Sequence, residues 1–163
     1  MANESVRERA GEYWLGGDPL KAGELIFESL HADDRPGWAA GILRLVLERT
    51  KVRSPAIDHI LYVADRARKW KGAHAAFSAA RREVLILDKL ARLGGLAEDQ
   101  KTRLHVLALA ELVAKVTYNA IDPPDEFDED SGWWIARCLR GFVNPRDQAF
   151  AEAAWAALCS HIT

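Results

Sequence analysis

The sequence lacks any convincing segment in which apolar and polar residues alternate with period two, the pattern of a half-buried β-strand. Apolar residues recur with helical spacing instead, so we predict an all-α fold. About eight helices are expected, at roughly residues 5–15, 19–31, 34–49, 55–70, 73–93, 98–119, 132–143 and 147–161. We expect residues 1–163 to form one compact globular bundle, with a short HEAT-like stack of helix pairs as the alternative. The fifth and sixth helices should be central, because their apolar stripes are the widest.

Long hydrophobic runs are also missing. The most apolar stretch, Leu104–Ala110, has seven residues before Glu111 interrupts it, whereas a membrane span needs about 20. The N-terminal segment carries acids and arginines, without the apolar core of a secretory signal. We therefore expect a cytoplasmic protein with no membrane partner. Its alanine- and arginine-rich composition is compatible with a bacterial source.

Cysteine is scarce, which argues against a disulfide framework. Cys138 and Cys159 are far apart in the sequence, and each falls on an apolar helical stripe. We predict two packed, free thiols. We expect no cation to be placed beside either thiol so as to generate a reactive thiolate, and therefore no catalytic cysteine.

Common catalytic and metal-binding motifs are absent. The sequence has no phosphate-binding glycine loop, no Gly-x-Ser-x-Gly elbow and no His-Glu-x-x-His pair. One Glu-x-x-His occurs, at Glu28 and His31, but a di-iron bundle needs two copies and further carboxylates. His31 is better explained as a cation or a cap at a helix C-terminus, and His105 as a core or boundary residue of the sixth helix. We expect no metal and no cofactor. The missing motifs argue against common hydrolysis and phosphoryl transfer, but they do not exclude an unfamiliar enzyme.

Charge is distributed unevenly along the chain. The net charge is −4 for residues 1–43, +7 for residues 44–103 and −5 for residues 104–163. Such asymmetry can mark a surface for an anionic partner. It can also mean that the segments pair with one another in the fold, which is the interpretation we favour.

The densest basic stretch lies at the end of the fourth predicted helix. Arg66, Arg68, Lys69 and Lys71 surround Trp70 there, and basic side chains beside an aromatic ring can bind a nucleic-acid strand. The same residues could simply complement the dipole of a helix C-terminus. Because the whole chain is slightly acidic, nucleic-acid binding is an alternative function and not the leading one.

An acidic loop is expected at about residues 120–131. Asp130 or Ser131 can cap the following helix, and the glycine register does not fit an EF-hand calcium loop. The remaining carboxylates exceed what a cap requires, and we predict that they contact a protein partner. These are Asp125, Glu126, Asp128 and Glu129.

The seventh predicted helix presents two different faces. Trp134 lies on its apolar stripe, so we expect that side chain to be buried and structural. Trp133, Arg137 and Arg140 fall on the less apolar face. A tryptophan beside two arginines indicates either a cation–π contact within the fold or an interface hot spot. We assign these three residues to the partner-binding surface.

The leading hypothesis is therefore a non-enzymatic binding or regulatory protein that acts through protein–protein contact. An immunity-type role is one form, because an acidic loop beside an aromatic residue can neutralise a basic partner. Nucleic-acid binding through residues 66–71 is the first alternative. An enzyme or small-ligand binder with a pocket between helices is the second.

Overall fold

The computed structural model describes residues 2–66, 72–121 and 130–162, with side chains from residue 5 onward. Within these ranges every regular element is helical, which confirms the predicted all-α bundle of about eight helices. The α-helices are α1 (Ala2–Leu15), α2 (Pro19–Ser29), α3 (Arg35–Thr50), α4 (Pro55–Asp65), α5 (Ala73–Arg92), α6 (Glu98–Ile121), α7 (Ser131–Phe142) and α8 (Gln148–Leu158). A 3-10 turn, Ala32–Asp34, precedes α3.

Helix starts follow local capping chemistry. The carboxylate of Asp18 accepts a hydrogen bond from the backbone N–H of Lys21 at 3.1 Å, and a proline opens α2. The hydroxyl of Ser54 likewise accepts from the N–H of Ala56 at 3.2 Å, again just before a proline. These caps satisfy backbone donors that the helix leaves unpaired, and proline at the first position is already in a helical conformation. The predicted starts of α2 and α4 are therefore confirmed.

The hydrophobic core lies around α3 and α6. α6 packs against α3, α4, α5 and α7, and it buries Val106, Leu109 and Val113 completely. Trp38 of α3 is also fully buried, and its indole N–H donates to the carbonyl oxygen of Leu158 at 2.8 Å. This bond ties the end of α8 to the core. Burial of each large apolar side chain contributes about 1.5–3 kcal/mol to stability.

By length and composition alone, α6 is apolar enough to cross a bilayer, since it has 24 residues. Half of its most apolar 18-residue window is buried inside the protein, against the neighbouring helices. Burial of this kind is usual for the central helix of a bundle. The apolar character of α6 therefore has an explanation in the packing of the core.

The expectation of a central α5 is wrong. α5 packs against α4 and α6 on one side, where it buries mainly Ala76, Ala80 and Leu87. Two of its large apolar side chains, Leu85 and Ile86, are 50% and 62% exposed. α5 is therefore a peripheral helix, whereas the central position predicted for α6 is confirmed.

The position of α7 is set by a close approach to α2. A Cβ atom built at Gly23 would lie 2.6 Å from the Cβ of Ala136, and one built at Gly132 would overlap the ring of Phe27. Only glycine fits at these two positions, because any side chain would collide with the facing helix. The contact fixes α7 and thereby the side chains that α7 presents to its other neighbours.

Candidate binding sites on two sides of α7

The three α7 residues assigned to a partner surface point in different directions. Trp133 is half-buried and packs against the core beside α2. Arg137 is exposed and faces the side of α6, whereas Arg140 reaches α1. Trp133, Arg137 and Arg140 therefore do not form one surface, and each arginine belongs to a different cleft.

The larger cleft is an open groove of about 910 Å³, which we name the α1/α8 groove. Its apolar lining comes from Gly11, Trp14, Leu15, Ala151, Trp155 and Ile162. Its polar lining comes from Arg7, Glu8, Glu12, Arg140, Gln148 and Glu152. Sequence reasoning missed this site because most of its residues lie near opposite ends of the chain.

Two tryptophans form the aromatic part of the α1/α8 groove. The ring centroids of Trp14 and Trp155 are 6.0 Å apart, with a tilt of 34°. Trp155 also packs against Gly11, where an added Cβ would lie 3.4 Å from the indole Cζ2. The guanidinium of Arg140 lies 5.0 Å from the centroid of Trp14, a distance that allows a cation–π contact. Arg140 thus joins α7 to the aromatic lining.

Acidic side chains outnumber basic ones around the α1/α8 groove. Glu8 and Glu12 are exposed one turn apart on α1, and Glu152 is exposed on α8. Arg7 and Arg140 are the two cations in the lining. Within the described part of the chain, neither arginine makes an ion pair. The groove therefore combines an apolar lining with charged groups that can pair with a partner.

The smaller cleft lies between α6 and α7 and has a volume of about 410 Å³; we name it the α6/α7 cleft. It is lined by His105, Ala108, Trp134, Arg137, Cys138, Gly141 and Phe142. Trp134 was expected to be buried, but it is 40% exposed, because the neighbouring Trp133 packs on the core instead. His105 is also exposed, so its expected core or boundary position is wrong.

Trp134 is held in place by polar contacts. Its indole N–H donates to the Asp130 carboxylate at 3.0 Å, and the Arg137 guanidinium lies 5.2 Å from the ring centroid. Asp130 also lies 3.8 Å from the ammonium of Lys115. Of the two predicted caps, Asp130 takes the N-cap position of α7, but its side chain makes no capping hydrogen bond. Its carboxylate holds Trp134 instead.

Both cysteines are free, as predicted. Burial raises the pKa of the Cys159 thiol to about 11, and nearby Arg7 opposes this shift only in part. Burial likewise raises the pKa of Cys138, against the weaker effect of Arg137. The expectation that no cation lies beside either thiol is therefore wrong, but burial has the larger effect at both. Both thiols are therefore uncharged at neutral pH, the form that is a poor nucleophile.

Part of the basic middle third is neutralised within the fold. Arg49 pairs with Asp147 of the acidic C-terminal third at 2.8 Å. Arg81 pairs with Glu111, also of the C-terminal third, at 3.0 Å. These contacts favour pairing between chain segments as one cause of the charge asymmetry.

The proposed nucleic-acid residues lie mostly outside the described ranges. Arg66 is described, and its guanidinium stacks 3.8 Å above the ring centroid of Tyr62. The other members remain a prediction, and they are Arg68, Lys69, Trp70 and Lys71.

The acidic residues proposed for a partner also lie outside the described ranges, and their role stays a prediction. These are Asp125, Glu126, Asp128 and Glu129.

Among the described residues, no group of three or more His, Cys, Asp or Glu side chains could hold a metal ion. His31 does not cap the end of α2 as expected, since its Nδ1 accepts from the N–H of Asp33 at 3.4 Å and caps the 3-10 turn.

A comparison of the chain with protein-family models, with curated proteins and with solved structures finds no match.

Proposed function

We propose that this protein is a non-enzymatic binding or regulatory protein that receives an amphipathic helix of a protein partner in the α1/α8 groove. The observation that carries the proposal is the pair Trp14 and Trp155 in an open groove between two helices. An amphipathic helix that lies in an apolar groove is a recurring mode of protein recognition. Tryptophan is also enriched among the residues that dominate interface energetics.

The dimensions of the groove support a helix as its occupant. The lining residues extend from Arg7 to Leu15 on α1 and from Gln148 to Trp155 on α8. Each stretch covers about two helical turns, or roughly 11 Å. In a partner helix, apolar residues at positions i, i+3 or i+4, and i+7 also span about two turns, or roughly 11 Å. The groove can therefore receive one apolar stripe.

Unused apolar surface on α8 also supports the proposal. Nine of the eleven α8 residues are apolar, yet the fold buries only Phe150, Ala154 and Leu158 among them. Ala151 and Trp155 are half-buried and line the groove. A partner helix would remove this remaining apolar surface from water, which is favourable in proportion to its area.

The charge around the groove supports a partner with basic flanks. Glu8, Glu12 and Glu152 surround the apolar lining, and both groove-forming helices come from the acidic thirds of the chain. Complementary charge accelerates association and selects the partner. Neutralisation of a basic partner site, as in an immunity-type protein, is one form of this function.

Two synthetic helical peptides of about 14 residues, or four turns, test the proposal. Both carry the same leucine stripe, but one has lysine and the other glutamate at the flanking positions. We expect the lysine peptide to bind at least about tenfold more tightly, because the groove lining has three carboxylates against two arginines, and Arg140 lies against the ring of Trp14. Binding is measured by titration calorimetry. The proposal is contradicted if both peptides bind equally, or if the lysine peptide shows no binding up to about 1 mM.

A matched pair of variants locates the binding site. Ala151→Arg places a long cationic side chain in the groove, whereas Ala156→Arg places it on exposed surface of the same helix. We expect Ala151→Arg to lower the affinity for the lysine peptide about tenfold or more. Ala156→Arg should leave that affinity within about twofold of the wild-type value. Circular dichroism checks that both variants are folded. Equal affinities of the two variants would place the peptide elsewhere.

The nucleic-acid alternative has less support. Arg66 is engaged with Tyr62 within the fold, and Arg81 is paired with Glu111. Binding that depends on residues 66–71 predicts a gel shift at low salt, lost when Arg68, Lys69 and Lys71 are changed to alanine. Absence of the shift would remove this alternative.

A further inference from the structure

The α6/α7 cleft is distinct from the groove of the proposed function, and its lining has a different chemistry. We infer that this cleft binds a small planar aromatic molecule that carries a carboxylate. Three observations support the inference: an exposed tryptophan in a fixed position, two basic side chains that line the same cleft, and a volume suited to a small ligand.

Trp134 supplies a surface for stacking. The hydrogen bond to Asp130 fixes the edge of its indole ring, and Arg137 lies against the ring. The residue still has 40% of its surface exposed and lines the cleft. A ring that is already held in position loses little further conformational freedom when a ligand stacks on it. Offset stacking between aromatic rings is favourable, so a planar aromatic ligand fits this surface.

Arg137 and His105 supply the contacts for an anion. Both side chains are exposed and line the cleft from facing helices. Within the described residues, neither forms an ion pair, and no carboxylate lines the cleft. The planar guanidinium of arginine can bind a carboxylate through two parallel hydrogen bonds, and an imidazole N–H can donate a third. The cleft therefore favours a negatively charged group.

The size and the remaining walls of the cleft limit the ligand to a small one. A volume of about 410 Å³ lies at the lower end of the range of roughly 300–1,000 Å³ for small-molecule sites. Ala108, Cys138 and Phe142 provide apolar walls. The Cys138 thiol is uncharged at neutral pH because burial raises its pKa, so it does not repel an anion. A two-ring aromatic acid satisfies these conditions.

Three probes separate the aromatic and the anionic requirements. 2-Naphthoate has both features, 2-naphthamide keeps the rings without the charge, and cyclohexanecarboxylate keeps the charge without an aromatic ring. We expect 2-naphthoate to bind at least about tenfold more tightly than either analogue and to shift the NMR resonance of the Trp134 indole N–H. Equal affinities of 2-naphthoate and 2-naphthamide, or no saturable binding of 2-naphthoate, would overturn the inference.

Two arginine variants test the position of the carboxylate. Arg137→Gln should weaken the binding of 2-naphthoate about tenfold and leave the affinity for 2-naphthamide within about twofold. It removes the cationic contact, while the hydrogen bond to Asp130 still holds the Trp134 ring. Arg82→Gln, a change at an exposed arginine of α5 away from the cleft, should affect neither probe. The inference is wrong if Arg137→Gln leaves the affinity for 2-naphthoate unchanged.

Discussion

The α1/α8 groove and the α6/α7 cleft use the same local arrangement, an α7 arginine beside a tryptophan. Arg140 lies 5.0 Å from the Trp14 centroid, and Arg137 lies 5.2 Å from the Trp134 centroid. Their surroundings differ, however. The groove is about 910 Å³ and is lined by three carboxylates and two arginines, whereas the cleft is about 410 Å³ and its described lining contains Arg137 and His105 but no carboxylate. The neighbouring helices, and not the arginine–tryptophan pair itself, therefore determine the class of ligand.

The largest expected effect breaks both sites together. Gly132→Ala would place a Cβ 2.1 Å from the Cγ of Phe27, so α7 must move away from α2. We expect a loss of about 3 kcal/mol in the free energy of unfolding, since overpacking of a tight contact is costly. Urea denaturation measures this loss. Affinity for the lysine peptide and for 2-naphthoate should fall together.

A glycine in open space provides the control for this change. A Cβ at Gly41 of α3 would meet nothing within 4 Å. Gly41→Ala should therefore leave stability unchanged or raise it by about 0.5–1 kcal/mol, because alanine favours the helix. Equal effects of the two alanine substitutions would show that the α2–α7 contact does not position α7.

The next change separates the two sites. Trp38→Phe removes the hydrogen bond to the Leu158 carbonyl and leaves a small cavity near the end of α8. We expect a loss of about 2 kcal/mol in the free energy of unfolding, from an unsatisfied buried carbonyl and lost packing. Because α8 forms one wall of the groove, peptide affinity should decrease in calorimetry. An unchanged peptide affinity, or a larger loss for 2-naphthoate, would contradict this role of α8.

A milder change acts on the cleft alone. Asp130→Asn removes the charge that holds the Trp134 indole N–H and the nearby Lys115. These contacts are exposed, so we expect a stability loss below about 1 kcal/mol. Affinity for 2-naphthoate should decrease by about threefold as Trp134 becomes less fixed, while peptide affinity stays constant. A decrease in peptide affinity instead would mean that Asp130 acts on the groove.

The smallest expected effect is the low chemical reactivity of the two thiols. Their raised pKa values do not change the stability of the fold at neutral pH, because both thiols stay protonated there. Both should react slowly with iodoacetamide at pH 7.5, because the raised pKa keeps each thiol protonated. The rate for Cys159 should increase by about tenfold per pH unit until it levels off near pH 11, as the thiolate fraction grows. Mass spectrometry follows each site. 2-Naphthoate should protect Cys138, which lines the cleft, and not Cys159; equal protection would contradict the assigned site.

Helix positions could be predicted from the sequence because they depend on local signals. Proline after Asp18 and after Ser54 marks two helix starts that the structure reproduces. Depth in the fold could not be predicted in the same way. Periodicity identifies the apolar side of a helix, but not how many neighbours cover it. For that reason α6 was placed correctly and α5, with exposed Leu85 and Ile86, was not.

The two clefts depend on contacts between distant segments. Trp133 and Trp134 differ by about 100° around α7, so only one of them can face the core. The close packing of α2 and α7 at Gly23 and Gly132 determines which tryptophan faces the core. The local sequence pattern of α7 does not show this contact. The sequence of α8 did contain a signal for the groove. It has more apolar residues than one buried stripe of a helix requires. That excess indicates an additional contact surface.

One crossed titration tests most directly whether the two clefts are separate sites with different ligands. The lysine peptide and 2-naphthoate are each titrated into the wild type and into the Ala151→Arg and Arg137→Gln variants. We expect Ala151→Arg to weaken only the peptide and Arg137→Gln to weaken only 2-naphthoate, each by about tenfold. The account is contradicted if either variant weakens both ligands to the same extent, or if neither variant weakens its own ligand.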